Sequence, residues 1–503
     1  MRGSTNKFFS IMPNNDYIAT IGIEVHAQLK TASKMFCGCA VSFGELPNVH
    51  TCPVCLGLPG SLPVVNKRAV ILGYLAARAL GCEIPRVAQF ARKHYFYPDL
   101  PKGYQITMYQ FPIGVNGRLE ILDEYGELTE GVGIERVHLE EDSAKLFHHE
   151  GKGTFVDFNR AGVPLLEIVS LPEIKTASEA VRYLKELRRL LRFLGISDAN
   201  MEEGSFRCEI NVSVRRKDEE KGGGKVEIKN LNSFKAVQKS IEYEIERQAA
   251  LLKRGEEVRS ATVGWDEKEG KTVHQRDKEE APEYRYFPEP DLPELIFEGD
   301  LVNESLFDME MIPARVVHSL IERFGVSYSA ADLLLSGTGS PPDDPYFVAS
   351  FFEEAVERHR AQSTPAVNLI VGPVFEYLNQ CGKTLDQTNL TPKKLAEITK
   401  MVERGELSST NAKRAVLLAL EEEGEVREVA AAHGLIQVSE DDELVRMVKE
   451  VVEENPQVVE SIRRGKVQAI GALVGAVMKK SKGQADPRKV NEILTRMLMP
   501  KRE

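Results

Sequence analysis

The chain has 503 residues, 42% hydrophobic and 28% charged, with a formal net charge of −11. That length supports about two to four domains with sizeable cores. The acidic balance excludes a general nucleic-acid coat protein, so any nucleic-acid contact must sit on a local basic patch. No apolar run approaches the roughly 18 residues that span a bilayer. Residues 1–16 carry neither an apolar h-region nor an Arg-rich amphipathic pattern, so a cytoplasmic protein without signal or transit peptide is expected.

The first alternating segment is Ile21–Leu29. Successive strand residues point to opposite faces, so Ile21, Ile23, Val25, Ala27 and Leu29 share one face, and Glu24, His26 and Gln28 the other. Next come Cys37, Cys39, Cys52 and Cys55, a Cys-x-Cys and a Cys-x-x-Cys with 12 residues between them. Four thiolates fill a tetrahedral Zn²⁺ shell and leave no position for water, which points to a structural site. The alternative is four unrelated buried cysteines. Seven cysteines spread over the chain argue against a disulfide framework.

Arg92–Gln105 is basic, aromatic and broken by proline. It fits two readings: Arg92 and Lys93 hold phosphates while the aromatics stack on a base, or a kinked loop packs its rings on the core. Tyr284–Asp291 presents the same choice. In Arg136–Glu140, Val137 and Leu139 face inward and Arg136, His138 and Glu140 face the other way. Glu141 shares the face of Leu139. In Phe155–Asn159, Val156 and Phe158 alternate with Asp157 and Asn159. Thr176–Glu179 reads as a capping box before a helix that Gly195 ends. In Phe206–Val214, Arg207, Glu209, Asn211 and Ser213 lie opposite the apolar face. A helix from about Ser233 to Arg254 closes at Gly255.

If these four strands share one sheet, its polar face gathers Glu24, His26, Glu140, Asp157, Asn159, Glu209 and Asn211. Crowded carboxylates repel, and a cation among them relieves the repulsion. Oxygen ligands with one imidazole suit Mg²⁺ or Mn²⁺. One such strand is explained by a solvated sheet face. Four with the same bias argue for a nucleotide-phosphate site. There is no P-loop, and Gly131-Val-Gly133 lacks the third glycine of a dinucleotide fingerprint, so any ATP use must run through an unfamiliar cradle.

From Asn303 onward helical periodicity takes over, with connections at Gly337–Asp344 and Thr384–Pro392. Helices are expected over 441–452, 469–480 and 490–498. Lys479, Lys480 and Lys482 form a basic turn, either a nucleic-acid contact or a solvated helix end whose lysines complement the dipole.

Several strings resemble the B-subunit family of the glutamyl-/aspartyl-tRNA amidotransferases. They are Ile23–Leu29, Pro59–Lys67, Arg92–Asp99, His138–Asp142, Asp157–Gly162, Met201–Ser205, Glu227–Phe234 and Tyr284–Asp291, with Gly465–Lys466 and Lys479–Gln484 in the tail. The resemblance implies an α+β fold: a cradle-like catalytic domain with an antiparallel or mixed sheet (1–300), an all-α domain (301–428) and a small helical tail that contacts tRNA (429–503). It implies an amidase-type A subunit that releases ammonia from glutamine, a small C subunit, and a channel between the active sites. ATP would phosphorylate the side-chain carboxylate of tRNA-bound Glu or Asp, and ammonia would then displace phosphate. The resemblance places Mg²⁺ at Glu24, His26 and acids such as Glu140, with Glu141 as the rival of Glu140. Asp157, Asn159, Arg160, Glu202, Glu209 and Lys229 become candidates for phosphate, metal or channel contacts. Two rival classes remain: a non-catalytic tRNA-binding scaffold, and a stand-alone carboxylate–amine ligase.

Overall fold

The computed structural model describes residues 16–498 except 150, 152, 220–221, 278–282, 299–311, 336–338, 342–343, 438–440 and 464–465, and it leaves the side chains of 441–443 and 463 undescribed. The expected boundary at 300–301 and parts of the 337–344 connection lie outside the described residues. The chain divides into two compact units, Met1–Val316 and Val317–Glu503.

The first unit is built in chain order from β1 (Tyr17–Gln28), α1 (Lys67–Ala79), β2 (Val87–His94), β3 (Tyr104–Phe111), β4 (Gly114–Leu119), β5 (Val132–Glu141), β6 (Lys145–His149), β7 (Gly153–Asp157) and β8 (Pro164–Ser170). It continues with α2 (Ala177–Phe193), β9 (Phe206–Arg216), β10 (Val226–Lys229), α3 (Phe234–Lys253), β11 (Ala261–Asp266), β12 (Lys271–Asp277), β13 (Phe287–Pro288) and β14 (Leu295–Ile296). Twelve strands form one sheet in the order β12-β11-β10-β9-β1-β8-β5-β3-β2-β13, with β4 beside β5 and β14 beside β2. Only β10–β11 is parallel among the described pairings, so the sheet is mixed.

Alternation builds the core side. Ile21, Ile23, Val25 and Ala27 of β1 and Phe206, Ile210, Val212 and Val214 of β9 are fully buried. Helix α3 packs on β9, and α2 packs on α3. Thr176 caps α2 by accepting from the Glu179 N–H at 3.1 Å. The Glu179 carboxylate returns to the Lys175 N–H at 2.9 Å, one residue before the cap. Leu184, Leu187, Leu190 and Leu191 are fully buried, each worth about 1.5–3 kcal/mol of transfer free energy. Gly195, with φ +62°, supplies the left-handed residue that ends the helix.

One expected strand of the main sheet lies outside it. The strand expected over Phe155–Asn159 is β7, and among the described residues it pairs only with β6, in a separate two-stranded sheet. Asp157 and Asn159 therefore do not join the polar face of the main sheet. Alternating residues alone do not say which sheet a strand enters.

From Pro313 onward the described regular structure is helical. A π turn over Ile370–Val374 accommodates Pro373, whose missing N–H could not continue an α-helix ladder. Thr384–Pro392 connects two helices, as expected, with Gly339 and Leu420 accepting from its backbone N–H groups. The helices Asp441–Glu454, Ile470–Lys480 and Pro487–Leu498 close around Leu444, Val448, Leu473, Val477, Val490 and Leu494. No helix among the described residues is long and apolar enough to cross a membrane.

Candidate active site

The sheet register assembles the site. Strand β8 runs between β1 and β5, and Glu167 pairs with His26 on one side and His138 on the other. Side chains directly opposite across strands are near neighbours, so both imidazoles meet one carboxylate. His26 Nε2 lies 3.2 Å from Glu167 Oε2 and 3.6 Å from Glu140 Oε1. His138 Nε2 lies 3.3 Å from Glu167 Oε2 and 3.7 Å from Glu140 Oε2. The donor atoms of His26, Glu140 and Glu167 all fall within 4.8 Å of one another, a set that suits a divalent cation.

The electrostatics follow from that crowding. Burial alone would lower the His26 imidazole, but hydrogen bonding and charge from Glu167, with Glu140, carry it up to about 9. Burial alone would raise Glu167, but His138 and His26 hold it well below the ordinary carboxylate range. Glu24 is raised by burial first, then by Glu167 and Glu209. Asn211 Nδ2 donates to Glu24 Oε1 at 3.1 Å. Glu209 is tied to Lys229 at 2.7 Å. The Lys93 ammonium lies 4.8 Å over the Tyr284 ring. Burial would lower it, but Glu140, Tyr286 and Glu167 raise it, so it faces the acid cluster as a cation.

The two adjacent acids are separated by the pleat. Glu140 joins His26, whereas Glu141 accepts from Lys102 Nζ at 2.6 and 2.7 Å and from the Ile106 N–H at 2.9 Å. Arg92 donates twice to Glu289, each at 2.7 Å, and lies over the Tyr104 ring, so its fork is already occupied. Arg160 holds the carbonyls of Ser143 and Ala144 at 2.8 Å. Glu202 is exposed on a turn. Glu167 escaped sequence reading because β8, Pro164–Ser170, is buried throughout and shows no alternation. The usable signal was a single carboxylate inside an apolar run, which burial makes costly unless it has a partner.

The family model for the GatB/GatE catalytic domain matches residues 19–303, and that for the GatB domain matches residues 350–498. The chain belongs to the GatB family. It is similar to the aspartyl/glutamyl-tRNA(Asn/Gln) amidotransferase B subunit of Thermodesulfovibrio yellowstonii, 42% identical over 96% of this chain and 99% of that protein. Proteins of the same name from Persephonella marina and Moorella thermoacetica are 41% and 42% identical, each over 96% of this chain and 100% of their own length.

A second centre of this GatB chain lies where the first unit's loops meet β7. The sulfurs of Cys37, Cys39, Cys52 and Cys55 all lie within 4.8 Å of one another. A tetrahedron with Zn–S near 2.3 Å has sulfurs about 3.8 Å apart, so modest closure fits zinc. The Cys52 N–H donates to Cys55 Sγ at 3.1 Å. Hydrogen bonding from Cys37, with Lys34 nearby, lowers the Cys55 thiol to about 4. Asp157 and Asn159 brace the intervening loop. Asp157 Oδ1 accepts from the Asn48 N–H at 3.0 Å, and Asn159 Oδ1 accepts from the His50 N–H at 2.9 Å. Buried Lys34 donates to the carbonyls of His50 and Phe158. A cavity of about 120 Å³ joins Cys37 and Cys55 to the Lys102–Glu141 pair.

In the second unit, the three basic-turn lysines divide. Lys480 is paired with Glu450 at 3.0 Å and Glu454 at 2.7 Å. Lys479 and Lys482 are exposed, and Lys482 has φ +53°.

Proposed function

We propose that this chain is the B subunit of an aspartyl/glutamyl-tRNA(Asn/Gln) amidotransferase and activates the side-chain carboxylate of mischarged tRNA. The observation that carries the reading is the convergence of His26, Glu140 and Glu167 on one face of the sheet, with Lys93 facing them. The chain's sheet unit is then the cradle that takes ATP.

His26, Glu140 and Glu167 would hold Mg²⁺ or Mn²⁺, with Glu24 at the flank. When bound, such a cation neutralises phosphoryl charge. Lys93 offsets charge on the transferring group from the protein side. Glu209 and Lys229 form an ion pair beside Glu24 and orient that flank. The aminoacyl carboxylate attacks the γ-phosphorus of ATP and releases ADP. Ammonia then attacks the acyl-phosphate carbon, phosphate leaves, and a proton is lost as the amide forms. Positioning and charge neutralisation supply most of the acceleration.

The same reading assigns partners. An amidase-type A subunit supplies ammonia through a channel, and a small C subunit completes the assembly. The division 1–300, 301–428 and 429–503 assigns tRNA contact to the tail, through Lys479 and Lys482 more than Lys480. The four cysteines hold a structural zinc.

The test uses the complex with its amidase inactivated, supplied with ammonium, Mg-ATP and Glu-tRNA or Asp-tRNA. Amide formed only with ATP places activation in this chain and reveals the preferred acyl group. No amide and no ATP binding would leave a scaffold that couples partners on tRNA.

A further inference from the structure

Glu167 Oε2 has two imidazoles on it: His26 Nε2 at 3.2 Å and His138 Nε2 at 3.3 Å. The two are not equivalent. His26 falls within the cluster whose donor atoms are mutually within 4.8 Å, and His138 does not. The His26 side chain keeps 19% of its exposure, whereas that of His138 keeps 1%. A cation that takes the Nε2 lone pair of His26 ends its hydrogen bond to Glu167. The Arg136 guanidinium stands 3.8 Å from the other oxygen, Oε1, too far to hydrogen-bond, so Oε2 then needs another donor to stay oriented in a crowded acid site.

We infer that His138 is a positioning residue, whose Nε2–H fixes the Glu167 and Glu140 carboxylates so that, with His26, they meet a divalent cation. This rests on the cation reading of the proposed function. The imidazole is itself held. Tyr109 stands edge-on to it, with ring centroids 6.3 Å apart and planes at 89°. Tyr109 stacks on Tyr286 at 5.0 Å, and the Arg136 guanidinium lies 4.6 Å over the Tyr109 ring. The aromatic segment around Tyr284–Phe287 thereby acquires a task, to keep one imidazole in plane. His138 Nδ1 is buried with no hydrogen-bond partner among the described residues. A buried imidazole with one nitrogen satisfied and one orphaned is costly as mere core filling, where an apolar side chain would serve better. Its worth lies in the Nε2 contacts it makes with Glu167 and Glu140.

The test is a Mn²⁺ titration followed by electron paramagnetic resonance on the zinc-loaded, full-length chain in its complex. Wild type, His138→Ala, His138→Gln and His26→Ala are compared, with thermal melts as folding controls. Removing a group that orients metal ligands weakens binding about 10- to 100-fold. His138→Ala should fall in that range with stoichiometry unchanged, and His138→Gln, whose amide restores a donor, should recover most of the loss. Affinity of a folded His138→Ala variant within twofold of wild type, or a His138→Gln variant as weak as His138→Ala, while His26→Ala binds poorly, would overturn the positioning role alone. Loss of stoichiometry in both His138 variants would make the residue a ligand and overturn it too. Unchanged binding in all variants, His26→Ala included, would remove the cation reading itself.

Discussion

Glu167 stands opposite His26 in the β1–β8 register, and its Oε2 lies 3.2 Å from the imidazole Nε2. Glu167→Gln keeps the size and removes the charge. Loss of one preorganised electrostatic group costs on the order of 10²–10³ in turnover. Amide formation on the acylated tRNA should fall by that factor, while the partner's glutamine hydrolysis continues. Both products can be assayed from one reaction mixture. An amide yield within tenfold of wild type would remove Glu167 from the chemistry.

Much of this site was legible in the sequence, and what was not has physical causes. Strands β1 and β9 bury alternate residues over most of their length, so alternation put Glu24, His26, Glu209 and Asn211 on one face together. Strand β8 is buried on both faces, so the acid that ties the cluster together left no periodic trace. Asp157 and Asn159 alternate like site residues, yet they brace the loop between two cysteine pairs. Arg92 has the composition of a phosphate ligand, but its planar fork matches Glu289 across β2 and β13. Pairing between distant segments decides such cases, and spacing along the chain does not report it.

The cysteine centre predicts a metal content. The purified chain should carry about one zinc, as four thiolates in a closed shell require. Cys52→Ser should lower the melting temperature and leave a substoichiometric zinc reading by atomic absorption. The surviving folded fraction should still form amide, because no cysteine belongs to the acid cluster. Folded, fully stable protein without zinc would dismiss the assignment.

The Arg92–Glu289 pair separates stability from function. The Glu289 side chain is wholly buried. Arg92→Leu leaves that charge unpaired, at a cost of about 3–5 kcal/mol. The double variant Arg92→Leu/Glu289→Leu should regain most of this, since an apolar pair replaces an ionic one. Urea unfolding of the single and double variants measures the difference. A larger loss in the double variant than in Arg92→Leu would show that the pair serves more than packing.

Lys480 and Lys479 are adjacent, but their charges are not equally available. Lys480 is neutralised by Glu450 and Glu454 on the neighbouring helix, while Lys479 is exposed without a carboxylate partner among the described residues. Counterion release counts only cations that reach phosphate, at about 0.7–0.9 in the logarithmic salt slope for each. Lys479→Ala should therefore flatten the salt dependence of tRNA binding by nearly one such step. Lys480→Ala should change it less, and Glu450→Gln/Glu454→Gln should strengthen binding by freeing the Lys480 ammonium. Filter binding across a salt series measures all three. Equal slopes for every variant would move tRNA contact away from this turn.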